Sequence, residues 1–230
     1  MSEHAFSAQD REAVYRAISS RRDVRHFLPD PIPDSALARI LRSGAQAPSV
    51  GFSQPWNFIV LRDRKLRTAV REHVEEERLA GAERFEGERR DRYLALKLEG
   101  ILDAPLNICV TCDRGRFGPA VLGRNTMLDA DLFSTVAAVQ NMWLAARAEG
   151  IGIGWVSILR NEVLSKLLAL PDGVAPVAYL CVGHTAEFPS KATLETSGWL
   201  PRVPMEELVF EDGWGRPAEA PLADHLRDVQ

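Results

Sequence analysis

The sequence predicts an α/β or α+β protein folded as one domain, and three observations carry that expectation. Apolar, strand-like runs at 57–62, 105–112 and 175–182 are separated by long segments of helical periodicity. The 230 residues are 46% hydrophobic and 26% charged, enough apolar mass to bury a full core without disulfide or metal staples. No internal repeat, linker or shift of composition divides the chain.

Taken in order, residues 7–20 read as a helix with Ser7 as its cap, Asp10 in the acidic first turn, and Val14, Ala17 and Ile18 on one face. Pro29, Pro31 and Pro33 then force an extended segment. Asp34 is expected to cap a second helix with Leu37, Ile40 and Leu41 as its apolar stripe, ending near Gly44. The loop 47–56 sets Ser49, Gly51, Ser53 and Gln54 between prolines and leads to Trp56 and the first strand, a composition suited to offering donors to a ligand or simply to connecting elements. Residues 63–102 read as helical and strongly charged, broken between Gly81 and Gly87, either a surface lid or a solvated helical hairpin. Residues 129–149 form a helix apolar almost all round, a pattern expected of a central or interface helix. Gly150, Gly152 and Gly154 punctuate the turn into a strand at 155–159, and a short helix is expected at 161–170. His184 closes the last strand as a hydrogen-bonded surface residue or a base, and the tail 190–230 shows little periodicity.

A net charge of −4 argues against broad attraction to nucleic acid, so an anion would have to be caught by a local cluster. No apolar run approaches the roughly 20 residues needed to cross a bilayer, and a soluble, cytoplasmic protein is expected. Cys109, Cys112 and Cys181 make neither a disulfide framework nor a zinc site and are expected to be buried thiols.

The candidate anion site is Arg21-Arg22-Asp23-Val24-Arg25-His26-Phe27. Guanidinium groups present planar forks of donors that match phosphate or carboxylate oxygens. A carboxylate in their midst weakens an anion site, so Asp23 either neutralises its neighbours at a solvated helix end or serves chemistry.

Together, residues 21–27, the loop 47–56 and the segment 150–157 resemble the flavin-dependent nitroreductase superfamily, in an order and spacing that agree over most of residues 10–205. The first motif of that superfamily usually reads Arg-Arg-Ser-x-Arg-x-Phe, and Asp23 stands here in place of the serine. That substitution, with the prolines at 29–33 and Gly154-Trp155-Val156-Ser157-Ile158, is similar to the 5,6-dimethylbenzimidazole synthase branch. The resemblance implies an α+β fold with a central mixed, mainly antiparallel sheet surrounded by helices, in a domain-swapped-type homodimer. It implies a single FMN-binding domain over 1–230, with a lid at about 75–100 and a C-terminal extension at about 190–230.

The reaction implied is oxygen-dependent fragmentation of reduced FMN, FMNH2 acting as substrate and O2 as co-substrate, to 5,6-dimethylbenzimidazole, the lower ligand of cobalamin, and erythrose 4-phosphate. A separate flavin reductase would supply FMNH2. Arg21, Arg22 and Arg25 are expected to meet the FMN phosphate, ribityl chain and pyrimidine edge, with Val24 beside them and Arg202 reaching the phosphate. Ser49 and Ser53, from the partner subunit, are expected to hydrogen-bond the ring or phosphate, Pro48 and Gly51 are expected to bind the cofactor as well, and the backbone at Val156 and Ser157 is expected to lie over the flavin. Asp23 and Ser157 are the expected catalytic residues, a carboxylate for proton transfer and a hydroxyl to place protons. The alternatives are an NAD(P)H-dependent nitroreductase or quinone reductase that retains FMN, and a non-catalytic flavin-binding protein.

Overall fold

The computed structural model describes residues 4–228. The chain forms two compact units, one up to Ser190 and a smaller one from Lys191. In the first unit the elements run α1 (Ala8–Ser20), α2 (Asp34–Ala45), β1 (Trp56–Leu61), α3 (Arg64–Ala82), α4 (Gly87–Ala95), β2 (Leu106–Asp113), α5 (Ala130–Ala148), β3 (Ile151–Val156), α6 (Asn161–Leu167) and β4 (Val174–His184). The second unit holds α7 (Thr193–Thr196) and α8 (Leu222–Asp228) joined by irregular chain.

The sheet has the order β1-β2-β4-β3, and every neighbouring pair of strands is antiparallel. A single parallel bridge between Asp23 and Ile153 adds the chain before α2 to the β3 edge, so the sheet is mixed only there. The strand β2 lies between two neighbours and is buried almost throughout, which accounts for its unbroken apolar run. One face carries Ile108, Val110, Leu180 and Val182 against α2 and α5, and the other carries Cys109, Tyr179 and Cys181 against α3 and α6. The three cysteines are free and fully buried, as their apolar settings indicated.

Several local expectations shift. Ser7 does cap α1, accepting the Asp10 N–H at 3.2 Å, but Val14 and Ile18 stay about half exposed, and nothing in α1 is buried. Asp34 is not a cap: Pro33 occupies that position, and the Asp34 carboxylate instead meets Arg62 at 2.5 Å. The strand after α5 begins at Ile151, not at 155, so Gly152 and Gly154 lie inside it. A Cβ on Gly154 would stand 2.0 Å from the Val24 carbonyl oxygen, so the missing side chain makes room for the chain's own backbone. The charged segment does break between α3 and α4, yet α3 buries Val70, His73 and Val74 in the core, while α4 buries nothing. Within α4, Tyr93 and Leu94 are partly buried and the rest is exposed.

Candidate functional site

The segment Asp23 to Leu28 is laid along the β3 edge by backbone pairing: Val24 N–H donates to Ile153 O at 3.0 Å and Leu28 N–H to His184 O at 2.8 Å. Phe27 pins its far end by packing over Gly100 and Gly183, positions where a Cβ would stand within about 3 Å of the ring. Val24 turns its side chain inward against Gly152, which leaves the flanking residues Asp23 and Arg25 to face the other way.

Asp23 and Arg25 bind the same residue of β3 and each other. The Asp23 Oδ1 accepts the Trp155 N–H at 2.9 Å, and Arg25 Nη2 donates to Trp155 O at 2.7 Å and to Asp23 Oδ2 at 2.5 Å. Although the Asp23 side chain is 44% exposed, the protein around it raises its pKa by desolvation. Arg25, the Trp155 N–H and Arg21 pull the other way without cancelling that effect. The result is a carboxyl group held beside two guanidiniums that still takes a proton more readily than an ordinary aspartate.

Arg21 lies 4.8 Å over the Trp143 ring, which itself packs on Trp155 with centroids 6.3 Å apart. Arg22 is drawn back into the helix end, where its Nη1 donates to Ser19 O and Arg21 O at 2.7 Å and its Nη2 to Ser190 O. From α5, Arg147 Nε donates to Ser20 O, the last carbonyl of α1, and Trp143 Nε1 to Arg22 O just beyond it. The Arg25 Nη1 atom is buried and has no hydrogen-bond partner among the described residues.

Just past β3, exposed Ser157 borders a cavity of about 190 Å³ lined mainly by Trp155, Leu159, Leu164, Val177 and Tyr179. The structure thus brings Arg21, Asp23, Arg25, Val156 and Ser157 into one neighbourhood at one edge of the sheet.

The serine loop lies elsewhere. Ser49 Oγ accepts the Gln54 N–H, Val50 N–H donates to Ser134 Oγ, and Arg116 donates to the carbonyls of Gln54 and Trp56. Gly51, Phe52 and Gln54 all have positive φ, and a Cβ on Gly51 would stand 2.7 Å from Val121 and 2.8 Å from the Leu122 carbonyl oxygen. Pro48 and Gly51 are exposed, whereas Ser53 is buried with an Oγ that finds no partner among the described residues. Arg116 is a residue that sequence reasoning missed, because the carbonyls of Gln54 and Trp56 and the side-chain oxygen of Asn57 that it binds lie about 60 positions away.

Strand register measures the separation of the two halves. Trp155 shares a row with Leu180, Ile108 and Val60, and Trp56 lies four residues further along β1. Three strand spacings and four residues of rise put the Trp56 and Trp155 backbones roughly 19 Å apart, on opposite edges of the sheet. Arg202 belongs to the second unit, where it is 75% exposed and 3.9 Å from Glu195.

Among the described residues no helix is long and apolar enough to cross a membrane, and no cluster of His, Cys, Asp and Glu could hold a metal ion.

The sequence model described as "Nitroreductase family" matches residues 18–184. The chain is 40% identical over 199 residues to a 5,6-dimethylbenzimidazole synthase of Rhodospirillum rubrum, covering 86% of this chain and 94% of that protein. It is 36% identical to one of Rhodobacter capsulatus, covering 87% and 97%. Its fold superposes with a TM-score of 0.61 on a protein of Desulfovibrio desulfuricans assigned as a nitroreductase and solved in complex with FMN, at 27% identity and covering 87% and 97% of the two chains.

Proposed function

The chain belongs to the nitroreductase family and is an enzyme of its 5,6-dimethylbenzimidazole synthase branch, and from that premise we propose that it consumes reduced FMN and O2 to release 5,6-dimethylbenzimidazole and erythrose 4-phosphate. The observation that carries this reading is the seat of Asp23, a carboxyl group fixed by Trp155 and Arg25 where a flavin-binding serine would serve for binding alone.

The residues present fit a flavin. Arg25 Nη1 and Ser53 Oγ, both buried and without partners among the described residues, stand in the two segments expected to hold it. Arg21 and Arg25 supply positive charge for the phosphate or for the anion of the reduced ring. When bound, reduced FMN supplies both the electrons for O2 and the atoms of the product. Asp23, with its pKa raised by desolvation, holds a proton more readily than a free aspartate and returns it as a general acid. Ser157 offers a hydroxyl at the mouth of the apolar cavity. Arg25 keeps Asp23 oriented through the Trp155 carbonyl, so a change at either residue disturbs the other.

The roughly 19 Å between the Trp56 and Trp155 backbones, which adjoin the serine loop and Asp23 on opposite edges of the sheet, supports a site assembled from two copies, Ser49 and Ser53 of one facing Asp23 of the other. The half-exposed Val14 and Ile18 of α1 and the exposed Phe133 and Val136 of α5 provide apolar surface for such a homodimer. The segment at about 75–100 acts as the lid, Arg202 reaches the phosphate, and the protein works in the cytoplasm with FMNH2 from a separate reductase.

The discriminating experiment mixes the protein and FMN with NADPH and a nitroarene. Negligible flavin reoxidation is expected; rapid turnover would instead mark a reductase that retains its flavin.

A further inference from the structure

We infer that His73 is a positioning residue for the Ser157 loop, acting through the Arg160 backbone; its catalytic meaning rests on the function proposed above. The loop runs from Trp155, the last residue tied to Asp23 and Arg25, to Arg160, which precedes the first turn of α6. Ser157 stands between those two points and makes no strand pairing of its own, since the β3–β4 ladder ends at Val156 and Tyr179. Its place is therefore set by what holds the loop at either end.

The first end is fixed by Asp23 and Arg25. The second is fixed from α3, where His73 is buried to 7% exposure among Val70 and Val74, and its Nε2 accepts the Arg160 N–H at 2.9 Å. An acceptor at Nε2 requires the neutral imidazole with its proton on Nδ1. Glu76 Oε2 lies 3.8 Å from Nδ1. One position further along the same helix, Glu77 Oε1 meets Arg160 Nε at 2.7 Å. Residues at i and i+4 share a helix face, so α3 holds one residue of the loop through two side chains, His73 on its backbone and Glu77 on its guanidinium. The sequence separation is 87, and no local pattern accounts for a buried histidine there.

The consequence is specific. A hydroxyl displaced by about 1 Å from its productive position can cost about a hundredfold in rate without weakening ground-state binding. Removing the Nε2 acceptor frees the Arg160 N–H and lets the loop 157–160 swing about Trp155. The same grip links the loop to the helix that leads directly into α4, so movement of that hairpin is felt at Ser157.

The test compares His73→Leu, which removes the acceptor, with His73→Gln, whose amide oxygen reaches the position of Nε2. Two readouts are needed: hydrogen exchange of the Arg160 amide in the free protein, and kcat against KM for benzimidazole formation from chemically reduced FMN. For His73→Leu the expected results are exchange at least tenfold faster, kcat lower by roughly ten- to a hundredfold and KM within about threefold. His73→Gln is expected to recover most of both. Where His73→Leu fails to fold, Arg160→Pro deletes the donor, and Arg160→Ala controls for the Glu77 ion pair.

Unchanged exchange of the Arg160 amide in a folded His73→Leu protein overturns the inference, as does a native kcat in a folded Arg160→Pro protein or a rise in KM alone. A wild-type protein that makes no benzimidazole overturns the proposed function but leaves the exchange comparison to decide whether His73 holds the loop.

Discussion

Replacing Asp23 by Asn separates the chemistry of this carboxylate from its structural part. The amide oxygen can still accept the Trp155 N–H, now at 2.9 Å, but its NH2 group meets Arg25 where a carboxylate oxygen stood at 2.5 Å. The ion pair is part-exposed, with 44% of the Asp23 side chain open, so its loss costs about 0.5–1 kcal/mol, far below the 3–5 of a fully buried pair. Burial already raises the pKa of Asp23 from 3.8, so the folded state disfavours its charge, and removing that charge returns part of the loss. The sign follows: with a folded pKa above the unfolded one, the aspartate's contribution is fully present below about pH 3.8 and fades as pH rises through the folded value. Asp23→Asn should therefore be less destabilising at pH 7 than at pH 3.5, and within about 1 kcal/mol of wild type at pH 7. Against that small change, loss of a general acid/base costs about 10²–10⁴-fold in rate. The assay is single-turnover formation of benzimidazole from reduced FMN, beside urea denaturation at both pH values. A stable Asp23→Asn protein that works at the native rate would refute the role given to the carboxylate.

Four further outcomes are expected. Gly154→Ala places a methyl 2.0 Å from the Val24 carbonyl oxygen and should cost about 3 kcal/mol or more, with weakened FMN binding, measured by denaturation and flavin fluorescence. Arg67→Met leaves the carbonyls of Ile101, Ala104 and Pro105 without their guanidinium and should cost at least about 3 kcal/mol in urea. Burial pushes the Cys109 and Cys181 thiols up to about 12, so neither should react with an aromatic disulfide reagent at pH 8 until the protein is unfolded. Mixing inactive Asp23→Asn and inactive Ser53→Trp subunits should regain about a quarter of wild-type activity, because one of the two sites in each mixed dimer is then intact; no recovery would argue against a shared site.

Much of the fold was legible because burial writes itself into continuous apolar runs, as in β2 and β4. The break between α3 and α4 was marked by Gly81 and Gly87. The start of β3 was not legible, since Ile-Gly-Ile-Gly carries a turn's composition, and its glycines are explained only by Val24, some 130 positions earlier. Asp34 looked like a cap, but the preceding proline takes that position and frees the carboxylate for Arg62. The site was half legible. Asp23 and Arg25 stood out by composition, while Arg22 could not be known to turn back on its own helix end. His73, Arg67 and Arg116 stayed hidden because each bonds to backbone, which any sequence can supply. Sheet order, which sets the serine loop and Asp23 on opposite edges, is a long-range property with no local signature.

The most direct measurement is mass analysis after aerobic incubation of the protein with chemically reduced FMN and no nicotinamide. The expected result is stoichiometric loss of FMN with appearance of 5,6-dimethylbenzimidazole and erythrose 4-phosphate, abolished by Asp23→Asn. Recovery of all the flavin as intact oxidised FMN would contradict the proposed reaction.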